Sequence, residues 1–205
     1  MLVHLPYMHT VRFRCLALAL GVTLTARVAA GQPAAPLTRQ VTAADVQFMQ
    51  DMIVHHQQAV EMTALLKTRT HRSDMMTLGA RISISQADEI DLMGRWLTRH
   101  GASVPASSTH EMAGHDAEVT HAKPRMPGML SASQMAALRK ARGLDFDHLF
   151  LLGMIQHHQG ALAMVKALME TPAAAQESAL NRFVNDVSTD QQAEIARMRR
   201  LIPRG

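Results

Sequence analysis

The sequence predicts an all-α fold: an antiparallel four-helix bundle built from two duplicated helical hairpins, with a short extra helix in the connection between them. Three observations predict it. Apolar residues such as Val46, Met49, Ile53, Val60 and Leu66 recur at helical spacing, and no stretch shows the period-2 alternation of a strand. Sliding the chain by 102 residues brings Asp45, Phe48, Met52, Ile53, His55, His56, Gln57, Ala59, Met62 and Leu66 onto identical residues. These are Asp147, Phe150, Met154, Ile155, His157, His158, Gln159, Ala161, Met164 and Leu168, ten identities within the twenty-two positions 45–66. A second register, shifted by 105, pairs Gln86, Glu89, Ile90 and Met93 with Gln191, Glu194, Ile195 and Met198. Finally, one two-helix hairpin cannot bury its apolar stripe alone, so two of them pack together.

The elements follow in chain order. Residues 1–30 read as an export signal: Arg12 and Arg14 are positive, Cys15 to Ala26 is an apolar run of twelve, and Val28-Ala29-Ala30 offers a cleavage site after Ala30. Twelve apolar residues are short for a membrane span, so a membrane anchor is the lesser reading, and Met8 is an alternative start. Residues 31–41 form a Pro/Ala/Gln tether, and the bundle domain occupies 42–202. Hairpin one (42–100) opens on a Thr42/Asp45 capping box, with helices expected to about Lys67 and from Ser73 to His100, and Gly101 as the stop. The segment 101–143 carries a His/Met-rich loop to residue 130, then a short helix opened by Ser131 and Gln134 and ended by Gly143. Hairpin two (144–202) has helices expected from Asp145 to Glu170 and, after Pro172, from Ala174 to Ile202.

Composition narrows the function. Of 205 residues, 47% are hydrophobic, which suits a packed core, but only 3% are aromatic while Met reaches 16 and His 12. The net charge of +4 includes Arg12, Arg14 and Arg27 of the signal. Without residues 1–30, 18 basic and 17 acidic residues remain, with four Phe, one Trp and no Tyr, a poor basis for binding nucleic acid. The single cysteine, Cys15, leaves with the signal, which excludes disulfides, cysteine-ligated zinc, iron–sulfur clusters, c-type haem and thiol catalysis in the mature chain.

The repeated Met-x-x-His-His pattern is the chemical centre of the sequence. Met52 precedes His55 by three residues and His56 by four, which puts its thioether one helical turn back between them. Ala59 leaves room one turn on, and Met62 lies on the same face two turns from His55. Met154, His157, His158, Ala161 and Met164 repeat the arrangement. Facing each other in a bundle, the two copies would assemble a soft, neutral nitrogen and sulfur site. Thioether sulfur favours Cu(I), and imidazole accepts either oxidation state of copper. Di-iron chemistry needs Glu-x-x-His pairs, which neither copy has. The plainer reading keeps its place: methionines often fill cores, and histidines are often structural. Adjacent histidines point about 100° apart, so one of each pair is expected to face the bundle axis and the other the flank or surface.

Two lesser features accompany the motif. His110, Met112, His115, His121, Met126 and Met129 crowd the central loop and could collect copper weakly, and deleting residues 108–129 is expected to spare the fold and the tightest site. Glu89 and Glu194, on the partner helices, could orient an imidazole N–H, although an intrahelical or surface role is the more economical one. No nucleophile–base constellation and no phosphate loop is present, so no enzyme is expected. A histidine phosphotransfer bundle is disfavoured by export.

The block FDHLFLLGMIQHHQGALAMV, its partner FMQDMIVHHQQAVEM and the Gln-x-x-Glu-Ile-x-x-Met helices resemble the domain of unknown function three-hundred-and-five family over about residues 40–202. That family includes periplasmic copper-binding proteins of the CopM type. The resemblance implies a ferritin-like four-helix bundle, export, and copper handling by some members. The matching positions here are Met52, His55, His56, Met154, His157 and His158; the first motif reads His-His-Gln-Gln where the second reads His-His-Gln-Gly. The expected function is therefore a periplasmic or secreted protein that binds copper for sequestration or delivery. Its expected partners are the metal ion and other envelope copper-handling proteins, with no nucleic acid and no membrane span after signal removal. The alternatives are a metal-free structural or interaction bundle and a bundle holding b-type haem.

Overall fold

Thr42 opens the first helix through a reciprocal cap. Its hydroxyl accepts the Asp45 N–H at 3.1 Å while Asp45 Oδ2 accepts the Thr42 N–H at 2.8 Å. This helix, α1 (Ala43–Ala64), breaks at Leu65 and resumes as the single turn α2 (Leu66–Arg69), rather than running straight to Lys67. The Thr63 hydroxyl bonds back to the Val60 carbonyl at this end, competing with the helical ladder. In the computed structural model, which describes residues 40–106 and 126–202, four further helices follow: α3 (Ser73–Arg99), α4 (Ala132–Lys140), α5 (Gly143–Met169) and α6 (Ser178–Leu201). The described residues contain no strand and belong to one compact unit, residues 38–205. The expected export signal and almost all of the tether lie outside the described residues.

Helix α3 stops as expected at Gly101, whose φ of +68° is left-handed. Ala102 N–H returns to Leu97 O and Gly101 N–H to Thr98 O, which satisfies the last carbonyls. Ser131 and Gln134 form the second capping box, at 3.1 and 2.8 Å, and α4 ends at Lys140, short of Gly143. Gly143, at φ +56°, instead begins α5, two residues before the expected start.

The last helix corrects the sequence expectation more substantially. It starts at Ser178, not Ala174, although Ala173, Ala174 and Ala175 are all strong helix formers. Tertiary contacts override that propensity. The buried Asp45 Oδ1 accepts the Ala175 N–H at 2.7 Å, and the Asn181 side chain donates to Ala175 O at 3.1 Å. Ala173 and Ala175 are held at φ 64° and 54°. Glu177 then caps α6 by accepting from Ala179 and Leu180 N–H, and also takes the Trp96 indole N–H of α3 at 3.0 Å.

These bonds fix the topology. The start of α1 meets the turn after α5, and Arg142, just before α5, donates to Thr68 O beyond the end of α1. Helices α1 and α5 therefore run antiparallel, each also packed against its own hairpin partner, α3 or α6. The core divides into two apolar clusters at opposite ends of the bundle. One gathers Phe48, Met52, Trp96, Val165 and Phe183, and the other Met62, Leu78, Phe150, Met154 and Met198. On all four long helices the residues between these clusters are polar and buried: His55 and His56, Gln86, His157 and His158, and Gln191 with Glu194. The bundle thus carries one polar layer across its middle. Among the described residues, no helix is long and apolar enough to cross a membrane.

Candidate metal centre

The duplicated motif lies in that layer. His55, His56, His157 and His158 are each at most 1% exposed. His55 and His157 meet across the α1–α5 contact with ring centroids 3.8 Å apart and planes inclined by 38°. Their neighbours do not turn to the surface, which corrects the expected division between axis and flank. His56 points to α3, where its Nε2 lies 2.5 Å from Glu89 Oε2, and His158 points to α6, 2.6 Å from Glu194 Oε2. A rotation of about 100° between adjacent residues suits a helix that has two neighbours at once. Glu89 and Glu194 consequently face the layer, and Ser85 supports Glu89 through a 3.3 Å bond to Oε1.

The acceptors determine the tautomers. His55 Nε2 lies 2.9 Å from Pro127 O and His157 Nε2 lies 2.8 Å from His55 O. A carbonyl or carboxylate oxygen only accepts, so all four rings donate through Nε2–H. All four Nδ1 atoms are buried and have no hydrogen-bond partner. Burial pushes the His55 imidazole down to about 3; the nearby His56 and His158 add to this, and the Pro127 bond opposes it. Burial likewise holds His157 well below 6.5, with His55, His158 and His56 reinforcing it. Both rings are therefore neutral at physiological pH, each with a bare Nδ1 lone pair.

This electrostatic arrangement gives the metal-free fold a defined acid sensitivity. Below pH 6.5 the unfolded chain takes protons at positions 55 and 157 that the folded chain refuses. Stability from these two groups is complete above that pH and declines as the pH falls toward about 3, the folded value for His55. Urea unfolding at pH 7.5 and pH 5 checks this: the midpoint is expected to be lower at pH 5, and an unchanged midpoint contradicts it.

The methionines border the layer. Met52 is fully buried in one apolar cluster with Ala161, and Met154 is fully buried in the other with Ala59. Met62 is buried and packs toward Gly153, with its methyl 3.4 Å from where a Cβ there would sit. Met164 is only half-buried, at the margin of the opposite cluster, so this pair of the repeat is not equivalent. Among the described residues, no three His, Cys, Asp or Glu side chains are grouped to hold one ion. A metal here would need thioether sulfur beside a small number of imidazoles.

The central connection needs a correction. His110, Met112, His115 and His121 lie outside the described residues. Met126 and Met129 are half-buried in the stretch 126–130, which packs on α5 and directs the Pro127 carbonyl at His55. Deleting 108–129 would therefore remove part of the site. Sequence reasoning also missed Gln86 and Gln191, buried with unpartnered Oε1 atoms, although the second repeat register had already paired them. Gln58 and Pro127 were missed as well; the mismatch between the two motif copies was the available signal.

Comparison with known proteins fits this architecture. The family model described as Domain of unknown function (DUF305) matches residues 45–202. A DUF305 protein from Streptomyces coelicolor is 28% identical, with a TM-score of 0.62 over 76% of this chain and 89% of that one. A DUF305 fragment from Deinococcus radiodurans is 26% identical, with a TM-score of 0.65 over 79% and 97%. CopM in its Cu(I)-bound form is 25% identical, with a TM-score of 0.57 over 78% and 95%, and similar structures of CopM in Ag-bound and Cu(II)-bound forms also match. No curated protein matches. The family match spans both hairpins and both His-His motifs, and the chain belongs to the DUF305 family.

Proposed function

We propose that the mature chain is an exported copper-binding protein that holds Cu(I) in the polar layer for sequestration or delivery in the periplasm or outside the cell. The observation that carries this reading is the pair of buried neutral imidazoles, His55 and His157, whose Nδ1 atoms have no hydrogen-bond partner. A buried acceptor left unsatisfied costs about 1–3 kcal/mol, and a cation that accepts those lone pairs relieves the cost. Cu(I) suits the surroundings better than a divalent ion. It carries one charge into a buried layer, accepts neutral soft ligands and tolerates thioether sulfur. Met52 and Met154, one turn from the imidazoles on either side, are the sulfur ligands in this reading. Glu89 and Glu194 sit behind His56 and His158 as oriented carboxylates and offset the added charge. The copper- and silver-bound forms of CopM support the same chemistry.

The four imidazoles are each at most 1% exposed, a setting that suits a bound ion better than a molecular substrate. Haem fits poorly, because rings with centroids 3.8 Å apart leave no gap for a porphyrin between His55 and His157. The remaining alternative is a metal-free structural bundle whose methionines only fill space. A competition titration of the mature chain with Cu(I), Cu(II) and zinc separates the two. Stoichiometric uptake with Cu(I) tightest is expected, and no uptake of any of the three leaves the structural bundle.

A further inference from the structure

The His-His-Gln-x tetrapeptides of the two motif copies differ only at the last position, and both versions of that position touch the same loop. The first copy ends in Gln58 and the second in Gly160. Gln58 brackets the backbone of Leu130, accepting its N–H at 2.7 Å and donating to its carbonyl at 3.1 Å. On the other helix, a Cβ added to Gly160 would lie 2.0 Å from Pro127 O and 2.5 Å from Gly128 Cα. Gly128, at φ +77°, is equally tight, since its own Cβ would lie 2.5 Å from Gly160 Cα. Gln156 adds a bond to Gly128 O at 3.3 Å. The loop is therefore pinned at Leu130 by α1 and at Pro127 and Gly128 by α5.

The pinned loop breaks the symmetry of the site. His157 donates to a carbonyl of α1, an acceptor supplied by the bundle itself. His55 donates to Pro127 O, an acceptor that exists only because the loop is docked. Without it, the buried Nε2–H of His55 loses its acceptor, and Nδ1, which has no partner, gives no preference for that tautomer. We infer that Gln58 and Gly160 are positioning residues that dock the 126–130 loop, so that the Pro127 carbonyl fixes His55 as its Nε2–H tautomer and leaves Nδ1 free to bind a soft cation. Only the last of these steps rests on the copper reading.

Long-range ¹H–¹⁵N spectra of the metal-free mature chain test this directly, because they report which nitrogen of each ring carries the proton. In the wild type, His55 and His157 are both expected as Nε2–H. In Gln58→Ala and in Gly160→Ala, His55 is expected to populate both tautomers, while His157 keeps its own and serves as the internal control. Cu(I) affinity is expected to fall about 10- to 100-fold in each variant, the range for losing a group that orients a ligand. If Gly160→Ala does not fold, Gln58→Ala decides alone, since that side chain is half-exposed and its amide makes both hydrogen bonds to Leu130. A single unchanged Nε2–H tautomer at His55 in a folded Gln58→Ala variant overturns the inference, as does an Nδ1–H His55 in the wild type. A tautomer change in a chain that takes up no copper upholds the positioning role and removes the copper reading.

Discussion

Replacing His55 and His157 together by glutamine is expected to weaken Cu(I) binding on the order of 1,000-fold, equivalent to about 4 kcal/mol, with the helical bundle retained. Glutamine is the informative replacement because it keeps an amide donor for the Pro127 and His55 carbonyls that the imidazoles now serve. It removes the Nδ1 lone pair and little else. Alanine would add a cavity penalty at two fully buried positions and confuse lost binding with lost folding. Chelator competition reads the affinity, and circular dichroism with urea unfolding reads the fold. An unchanged affinity in the folded double variant would show that these two rings are not ligands.

Changing Met52 and Met154 to leucine is expected to produce a metal-selective loss. Each side chain is fully buried in an apolar cluster, so a swap that nearly conserves volume costs about 1.5 kcal/mol or less per site. Thioether sulfur matters for Cu(I) and contributes little to zinc or Cu(II), which imidazole binds readily. Cu(I) affinity is therefore expected to drop about 100-fold, roughly 2.8 kcal/mol, while zinc and Cu(II) affinities stay nearly constant. If all three affinities remain unchanged, these methionines only fill the core, as Met49, Met75 and Met93 do among buried neighbours.

Much of the architecture was legible because it is written twice. The 102-residue repeat paired His55 with His157, and the 105-residue register paired Gln86 and Glu89 with Gln191 and Glu194, although it did not show that they reach the same layer. Local caps were legible too, since Thr42 with Asp45 and Ser131 with Gln134 need only contacts three residues apart. What stayed hidden depended on partners distant in sequence. The start of α6 yields to a carboxylate 130 residues before Ala175, which no helix propensity can register. The direction of His56 and His158 depends on each helix having two neighbours, so that a side chain turned away from one helix meets the other. The docked loop was hidden because its residues sit outside both repeats. The motif mismatch at Gln58 and Gly160 was visible, but only the folded chain gives it a reason.

The central claim is that sulfur and imidazole nitrogen from the middle of the bundle share one Cu(I) ion. X-ray absorption on the Cu(I)-loaded mature chain tests it most directly, because the two ligand types scatter at separable distances. The account predicts stoichiometric copper with both imidazole nitrogen and thioether sulfur in its coordination shell, and loss of the sulfur contribution in the Met52→Leu, Met154→Leu variant. A shell of nitrogen and oxygen alone, or a sulfur shell that persists in that variant, would contradict it.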